Sequence, residues 1–340
     1  MKNLVDRFNR IHDYLRISLT DKCNLNCIYC NPKTLQRSSL HQNELLSFEE
    51  LIELIIIFLQ SFGVKKIRFT GGEPLARKDV LQFFEKVSRL KNDNNFEIGL
   101  TTNGTLLEEN LEILKQFRFD KLNISLDSLN REKFAAITGS DSLHSVLRSI
   151  EKALHLGFSS LKLNAVIIKN INDSEILDFV DFVKDKDINI RFIEFMPFTN
   201  NAWSKDGFIS SSEIRNVIEQ KYLLRKLEIK LSLVSKDYEL VGYKGKVSFI
   251  SSISDHFCDS CNRLRITAKG KMKLCLFSTS ESELDFRKIF SEGSFGRDEK
   301  LKRSEIEEKI VRAMELKNEK HPEIESIVQM DQNEMIGIGG

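Results

Sequence analysis

The chain has 340 residues, long enough for one large domain or two smaller ones with a substantial buried core. Hydrophobic residues make up 41% and charged residues 30%, an ordinary globular composition. A formal net charge of +1 argues against polyanion binding through bulk charge but leaves room for a local basic pocket. No apolar run is long enough for a transmembrane helix, and the charged start MKNLVDRFNR lacks an apolar signal region, so a cytoplasmic protein is expected.

From residue 14 to about 196, short apolar strands alternate with amphipathic runs of helical length. The predicted strands are YLRISLT, KKIRFT, FEIGLTT, KLNISLD, LKLNAVII and INIRFIEFM. The clearest helix is SFEELIELIIIFLQSFG, where Ser47 and Glu50 read as a capping box and Gly63 as a C-cap. Such alternation predicts βαβ units, an α/β fold class and a partial (β/α)6 TIM-type barrel. After FMPFTNNAW the texture changes to a helix, SSEIRNVIEQ, and two hairpin-like stretches, ELVGYKGKVSFI and RLRITAKGKMKLCLF. Residues 297–318 read as a charged helix, and the end MIGIGG as flexible. The division expected is a barrel over 1–204 and an α+β extension over 205–340.

Within the strands one face is apolar and the other polar. Leu15, Ile17 and Leu19 oppose Arg16 and Ser18; Ile67 and Phe69 oppose Arg68. Phe96, Ile98 and Leu100 oppose Gly99 and Thr101; Leu122, Ile124 and Leu126 oppose Asn123, Ser125 and Asp127; Leu161, Leu163 and Ala165 oppose Lys162 and Asn164. The polar set predicts a chamber for a polar, anionic ligand, against the alternative that these charges face solvent. The sixth strand breaks the pattern, because Glu194 and Met196 share parity with Ile190 and Phe192.

The six cysteines fall into two sets of three. Cys23, Cys27 and Cys30 form C-x3-C-x2-C, and Cys258, Cys261 and Cys275 form C-x2-C-x13-C. A cubane [4Fe–4S] cluster normally takes four thiolates, so three leave one iron open for another ligand. Zinc is the competing reading for either set, although structural zinc usually takes four protein ligands.

The early spacing, with Tyr29 before the third cysteine and a first strand before the loop, resembles the radical S-adenosylmethionine superfamily. TGGEP at 70–74, after the second strand, agrees. The resemblance implies that the open iron binds S-adenosylmethionine and that reductive cleavage yields a 5′-deoxyadenosyl radical. The late triad then suits a second cubane, with Arg263 and Arg265 just after Cys261, two apart and so on one side of a strand.

Taken together, TDKCNLNCIYCNP, IRFTGGEPL, IGLTTNG, NISLDS, IRFIEFMP, the late triad with its arginines and the terminal GG resemble the MoaA family of GTP 3′,8-cyclases. That resemblance implies two [4Fe–4S] clusters, at Cys23, Cys27 and Cys30 and at Cys258, Cys261 and Cys275, the second taking the guanine base. It implies contacts to S-adenosylmethionine from Tyr29, Gly72, Ser125 and Met196. GTP is implied at Arg16, Arg68, Thr101, Lys162, Arg263 and Arg265, and a catalytic role at Arg263, Arg265 and the tail residues Gly339 and Gly340. The implied chemistry is hydrogen abstraction from C3′, attack on C8 and formation of 3′,8-cyclo-7,8-dihydroguanosine triphosphate, the first step of molybdenum cofactor synthesis. A homodimer, an unidentified reductant protein and hand-off of product to cyclic pyranopterin monophosphate synthase follow from the same likeness, with no nucleic acid or membrane partner. Asn31 and Ala76 depart from residues common in the family and bear on packing rather than ligation. Two other readings remain: a peptide-modifying radical enzyme with an auxiliary cluster, and a non-catalytic zinc module. The histidines, including His12, His41 and His256, read as structural or surface residues.

Overall fold

The computed structural model describes residues 2–30, 39–158, 160–199, 201, 203–228, 234–278, 283–292, 299–329 and 335–339. Asn31 and Gly340 lie outside the described residues. In chain order the strands are β1 (Tyr14–Ser18), β2 (Lys66–Thr70), β3 (Glu97–Thr102), β4 (Lys121–Ser125), β5 (Leu161–Ile167) and β6 (Ile188–Glu194). They continue with β7 (Leu224–Lys226), β8 (Lys236–Leu240), β9 (Lys246–Ile250), β10 (Arg263–Ile266), β11 (Lys271–Lys273) and β12 (Leu284–Asp285). The first six fall within the stretches read from the sequence, alternating with helices, and the class is α/β.

Two compact units emerge. The first comprises Met1–Asn24, Arg37–Gly99 and Cys261–Gly340, the second Leu25–Gln36 and Leu100–Ser260. Residues 205–260 therefore group with one and 261–340 with the other.

In the first unit the strand order is β12, β11, β10, β1, β2, with β3 following. β10 and β2 flank β1, both parallel to it, and β11 turns back antiparallel. The helix Phe48–Gln60 starts at Ser47, whose hydroxyl accepts from the Glu50 amide while the Glu50 carboxylate accepts from the Ser47 amide. Its cap is Ser61, and Gly63 takes a left-handed φ of 64° two residues later. Gly63 therefore turns the chain after the cap instead of forming it. Phe83 stacks on Phe48 at 4.7 Å and meets Phe69 edge-on at 5.3 Å. Burying each such ring is worth about 1.5–3 kcal/mol, enough to hold the helix on the apolar face of β2.

The end of the chain differs from expectation. Met335–Ile338 forms a helical turn, with Ile336 and Ile338 buried. The two isoleucines supply the apolar surface that a purely flexible tail would lack. His12 is buried against Asp6 at 3.0 Å, a structural role.

In the second unit the order is β4, β5, β6, β9, β8, β7. β4, β5, β6 and β9 pair in parallel, and β8 and β7 return antiparallel. Each expected hairpin thus lends one strand to parallel pairing, β9 to β6 and β10 to β1. Among the described residues no helix is long and apolar enough to cross a membrane.

Candidate active site

The first unit gathers a row of buried cations. Register places Arg265 beside Arg16 and Lys273, and Arg16 beside Arg68, so four strands present them side by side on one face. Arg16, Arg68 and Arg265 are 6%, 4% and 6% exposed, which rules out the solvent-facing alternative for them. Two residues earlier on the same face, Tyr14 pairs in register with Arg263 and Lys66. The Arg68 Nε–H donates to the Tyr14 oxygen at 2.8 Å, and the Arg263 guanidinium lies 5.5 Å from the Tyr14 ring centroid.

Electrostatics follow from this crowding. Burial holds Arg16 well below the usual arginine range, and the charge of Arg265 adds to it. Burial, then Arg263, brings Arg265 down to about 10. Burial raises the Tyr14 phenol, but Arg68, Arg16 and Arg263 outweigh it and bring the pKa from 10.0 to about 6. Crowding like charges away from water costs free energy. An anion entering the cluster removes that cost and gains charge-assisted hydrogen bonds. Lys273 is paired with Glu283 at 3.0 Å.

Gly99 makes room for this arrangement. A Cβ there would lie 2.7 Å from an Arg68 terminal nitrogen. Cys261 and Cys275 lie close enough to Arg265 to favour its charged form, so two of the late thiols border the cluster.

The TGGEP loop packs on the segment that leads from β1 to Cys23. The Gly72 amide donates to the Thr20 carbonyl at 2.7 Å, and the Glu73 amide to the Lys22 carbonyl at 2.8 Å. A Cβ on Gly72 would overlap the Lys22 carbonyl group, lying 2.7 Å from its carbon. Only glycine allows this backbone approach. Arg77 fixes the same segment by donating to the carbonyls of Leu19 at 2.8 Å and Leu46 at 2.6 Å. Gly339 reaches the same place: its carbonyl accepts from Arg265 at 3.1 Å, and a Cβ on it would lie 2.5 Å from Thr70 Cγ2.

The second unit holds Tyr29, Cys27, Cys30, Thr101, Ser125, Lys162, Met196 and Cys258. The loop bearing Cys27 and Cys30 is fixed by the Asn26 and Ile28 amides, which donate to the carbonyls of Thr138 and Ile137 at 2.8 and 2.9 Å. These are among the carbonyls that a helix end leaves unsatisfied. Tyr29 donates to Asp127 Oδ2 at 2.7 Å, and the Val166 amide donates to Oδ1 at 2.9 Å. Burial raises the Asp127 carboxyl from 3.8 to about 6 despite both bonds. Burial, and then Asp127, pushes the Tyr29 phenol well up. Thr101 and Met196 are buried, Ser125 and Lys162 half-buried. Lys162 sits in register with Asn123 and Asn189. Asn164 Oδ1 accepts from Arg191 Nε at 2.9 Å and Nη2 at 2.6 Å, so the polar face of β5 continues onto β6.

All six cysteines are half-buried thiols not joined in disulfides. Among the described residues no three His, Cys, Asp or Glu side chains are grouped to hold a single metal ion. A cubane spreads its thiolates over different irons, so its ligands need not converge on one point. The residue types present, two sets of three free thiols, fit [4Fe–4S] ligation that leaves one iron open.

Tyr14, Asp127 and Glu194 were not singled out as functional residues from sequence. Tyr14 shares strand parity with Arg16, a usable signal. Asp127 was visible as a polar-face residue without a role.

Residues 17–183 match the model of the Radical SAM superfamily, and residues 188–323 that of Molybdenum Cofactor Synthesis C. The GTP 3′,8-cyclase of Thermodesulfovibrio yellowstonii is 42% identical over 313 residues, 92% of this chain and 94% of its own length. Molybdenum cofactor biosynthesis protein 1 of Dictyostelium discoideum is 48% identical over 285 residues, 83% of this chain; the chain spans 45% of that relative's length. The crystal structure of Streptococcus suis SuiB bound to S-adenosylmethionine superimposes with a TM-score of 0.62 at 16% identity. That match covers 83% of this chain and 65% of SuiB, a likeness of fold.

Proposed function

Since this chain belongs to the GTP 3′,8-cyclase family, within the radical S-adenosylmethionine superfamily, we propose that it converts GTP to 3′,8-cyclo-7,8-dihydroguanosine triphosphate, the first step of molybdenum cofactor synthesis. The observation that carries this reading is the set of Arg16, Arg68, Arg263 and Arg265 around Tyr14, of which Arg16, Arg68 and Arg265 are buried and Arg263 half-buried. A triphosphate is dense enough in charge to offset four guanidiniums, and each charge-assisted bond contributes about 1.5–3 kcal/mol.

Cys23, Cys27 and Cys30 would hold the [4Fe–4S] cluster, and Tyr29, Gly72, Ser125 and Met196 would hold S-adenosylmethionine. Bound there, the pair supplies the low-potential electron and the hydrogen-abstracting group. Cys258, Cys261 and Cys275 would hold an auxiliary cluster facing the guanine. Arg16, Arg68, Arg263 and Arg265, with Thr101 and Lys162, orient the nucleotide so that C3′ and C8 are fixed. The Gly339 carbonyl bonded to Arg265 supports a role for the tail in shielding the site. We assign residues 1–204 to the radical chemistry and 205–340 to the auxiliary cluster and substrate. A homodimer in the cytoplasm, served by a reductant protein and passing its product to cyclic pyranopterin monophosphate synthase, completes the reading. The thiols need a reducing compartment.

The test is anaerobic incubation with dithionite, S-adenosylmethionine and GTP, with products read by mass spectrometry. Reconstitution should give about eight iron per chain, from two four-iron clusters. Cys275→Ser should keep cleavage of S-adenosylmethionine and lose GTP conversion; unchanged conversion would remove the auxiliary cluster from the mechanism.

A further inference from the structure

We propose that Glu194 is a positioning residue for the late cysteine loop, its carboxylate fixing the backbone from which Cys258 is delivered. The inference rests on the reading above that Cys258, Cys261 and Cys275 hold an auxiliary cluster.

Glu194 ends β6 and breaks its apolar parity, since it shares a face with Ile190 and Phe192 and is 0% exposed. Its Oε2 accepts from the backbone amides of Ile253 at 2.9 Å and Ser254 at 3.0 Å. Its Oε1 accepts from the Ser211 amide at 2.8 Å and from the Ser254 hydroxyl. Three of the four partners are backbone amides, which can only donate, so the position calls for an acceptor on both oxygens. An ionised carboxylate provides that and an amide does not.

These bonds tie three places in the second unit to the end of β6: the first turn of the helix Ser211–Glu219 and two successive residues after β9. Four chain steps separate Ser254 from Cys258, a reach of about 14 Å at most. Immediately beyond, Cys258–Ser260 forms a tight turn in which the Ser260 amide donates to the Phe257 carbonyl at 3.2 Å. Glu194 thus anchors the near side of a short segment whose far side is already folded, which limits where the Cys258 sulfur can go. The apolar parity is broken at the strand end because the residue there satisfies backbone amides of a non-regular segment.

The experiment compares the native chain with Glu194→Ala and Glu194→Gln after anaerobic reconstitution. It reads iron per chain, cleavage of S-adenosylmethionine, and hydrogen exchange of the iron-free proteins. The native chain should take up about eight iron and Glu194→Ala about four, with S-adenosylmethionine cleavage retained. Exchange of the Ile253 and Ser254 amides should quicken by about tenfold or more while the β5 and β6 amides stay protected. A merely structural role would instead lower both iron sites and protection throughout the unit. Glu194→Gln keeps one accepting oxygen and should fall between; it also serves if the alanine variant does not fold. Eight iron in a folded variant with unchanged exchange at 253–254 overturns the proposal. Four iron in the native chain overturns the auxiliary-cluster reading instead, and the exchange result still judges the hold of Glu194 on its segment.

Discussion

Arg68 donates its Nε–H to the phenol oxygen of Tyr14 across 2.8 Å, which puts an ionisable oxygen among buried guanidiniums. Burial opposes ionisation of Tyr14, but the charges of Arg68, Arg16 and Arg263 win and leave its pKa at about 6. An acid whose pKa is lowered by folding contributes stability that is complete above the unfolded pKa of 10.0. That contribution shrinks as pH falls and is gone below about 6. Tyr14→Phe should therefore lose stability relative to the native chain mainly on the alkaline side. The check is the difference in Tm between the two proteins across this window. A deficit that does not change with pH would show that Tyr14 stays protonated.

Gly99 is the space into which the Arg68 head group fits, and a methyl there would meet the flexible end of that side chain rather than backbone. Gly99→Ala should leave Tm nearly unchanged and displace Arg68. The Michaelis constant for GTP should rise about tenfold, equivalent to about 1.4 kcal/mol, with cleavage of S-adenosylmethionine intact. Steady-state kinetics on both substrates separates the two effects.

Gly72→Ala behaves oppositely, because the added methyl meets the Lys22 carbonyl, which is backbone and held by the Glu73 amide. The loop leading to Cys23 must move. We expect a Tm loss corresponding to about 2 kcal/mol or more and reduced iron uptake, measured by thermal melting and iron analysis.

Asp127 links Tyr29 to the Val166 amide. Asp127→Ala removes the acceptor of two half-buried donors, costing about 0.5–1.5 kcal/mol per hydrogen bond, and should weaken S-adenosylmethionine binding several-fold by freeing Tyr29. Asp127→Asn can keep both contacts, since the tyrosine hydroxyl can turn to accept. Burial raises the Asp127 pKa to about 6, so its favourable contribution exists at pH below 3.8 and is lost as pH rises through 6. The asparagine variant should therefore gain on the native chain above pH 6. Melting curves at pH 5 and pH 8 decide this, and equal differences at both would place the carboxyl elsewhere on the pH scale.

Much of the polar face was legible because strand parity is a local property. Arg16, Arg68 and Asn123 could be assigned to it from alternation alone, and all three are buried. The capping box at Ser47 and Glu50 was equally local. Glu194 was visible only as an anomaly, since its partners at 211, 253 and 254 lie well along the chain. The lowered pKa of Tyr14 was not legible, because it depends on Arg68 from β2 and Arg263 from β10 as well as on its neighbour Arg16.

By itself the sequence determined the α/β alternation, the two cysteine triads and the sidedness of each strand, because backbone geometry ties these to neighbours a few residues away. Only the tertiary structure decided that β10 would lie parallel to β1, so that Arg265 stands beside Arg16 across some 250 residues of chain. Pairing of distant strands sums many weak contacts against the entropy of closing a long loop, and no local pattern encodes that sum.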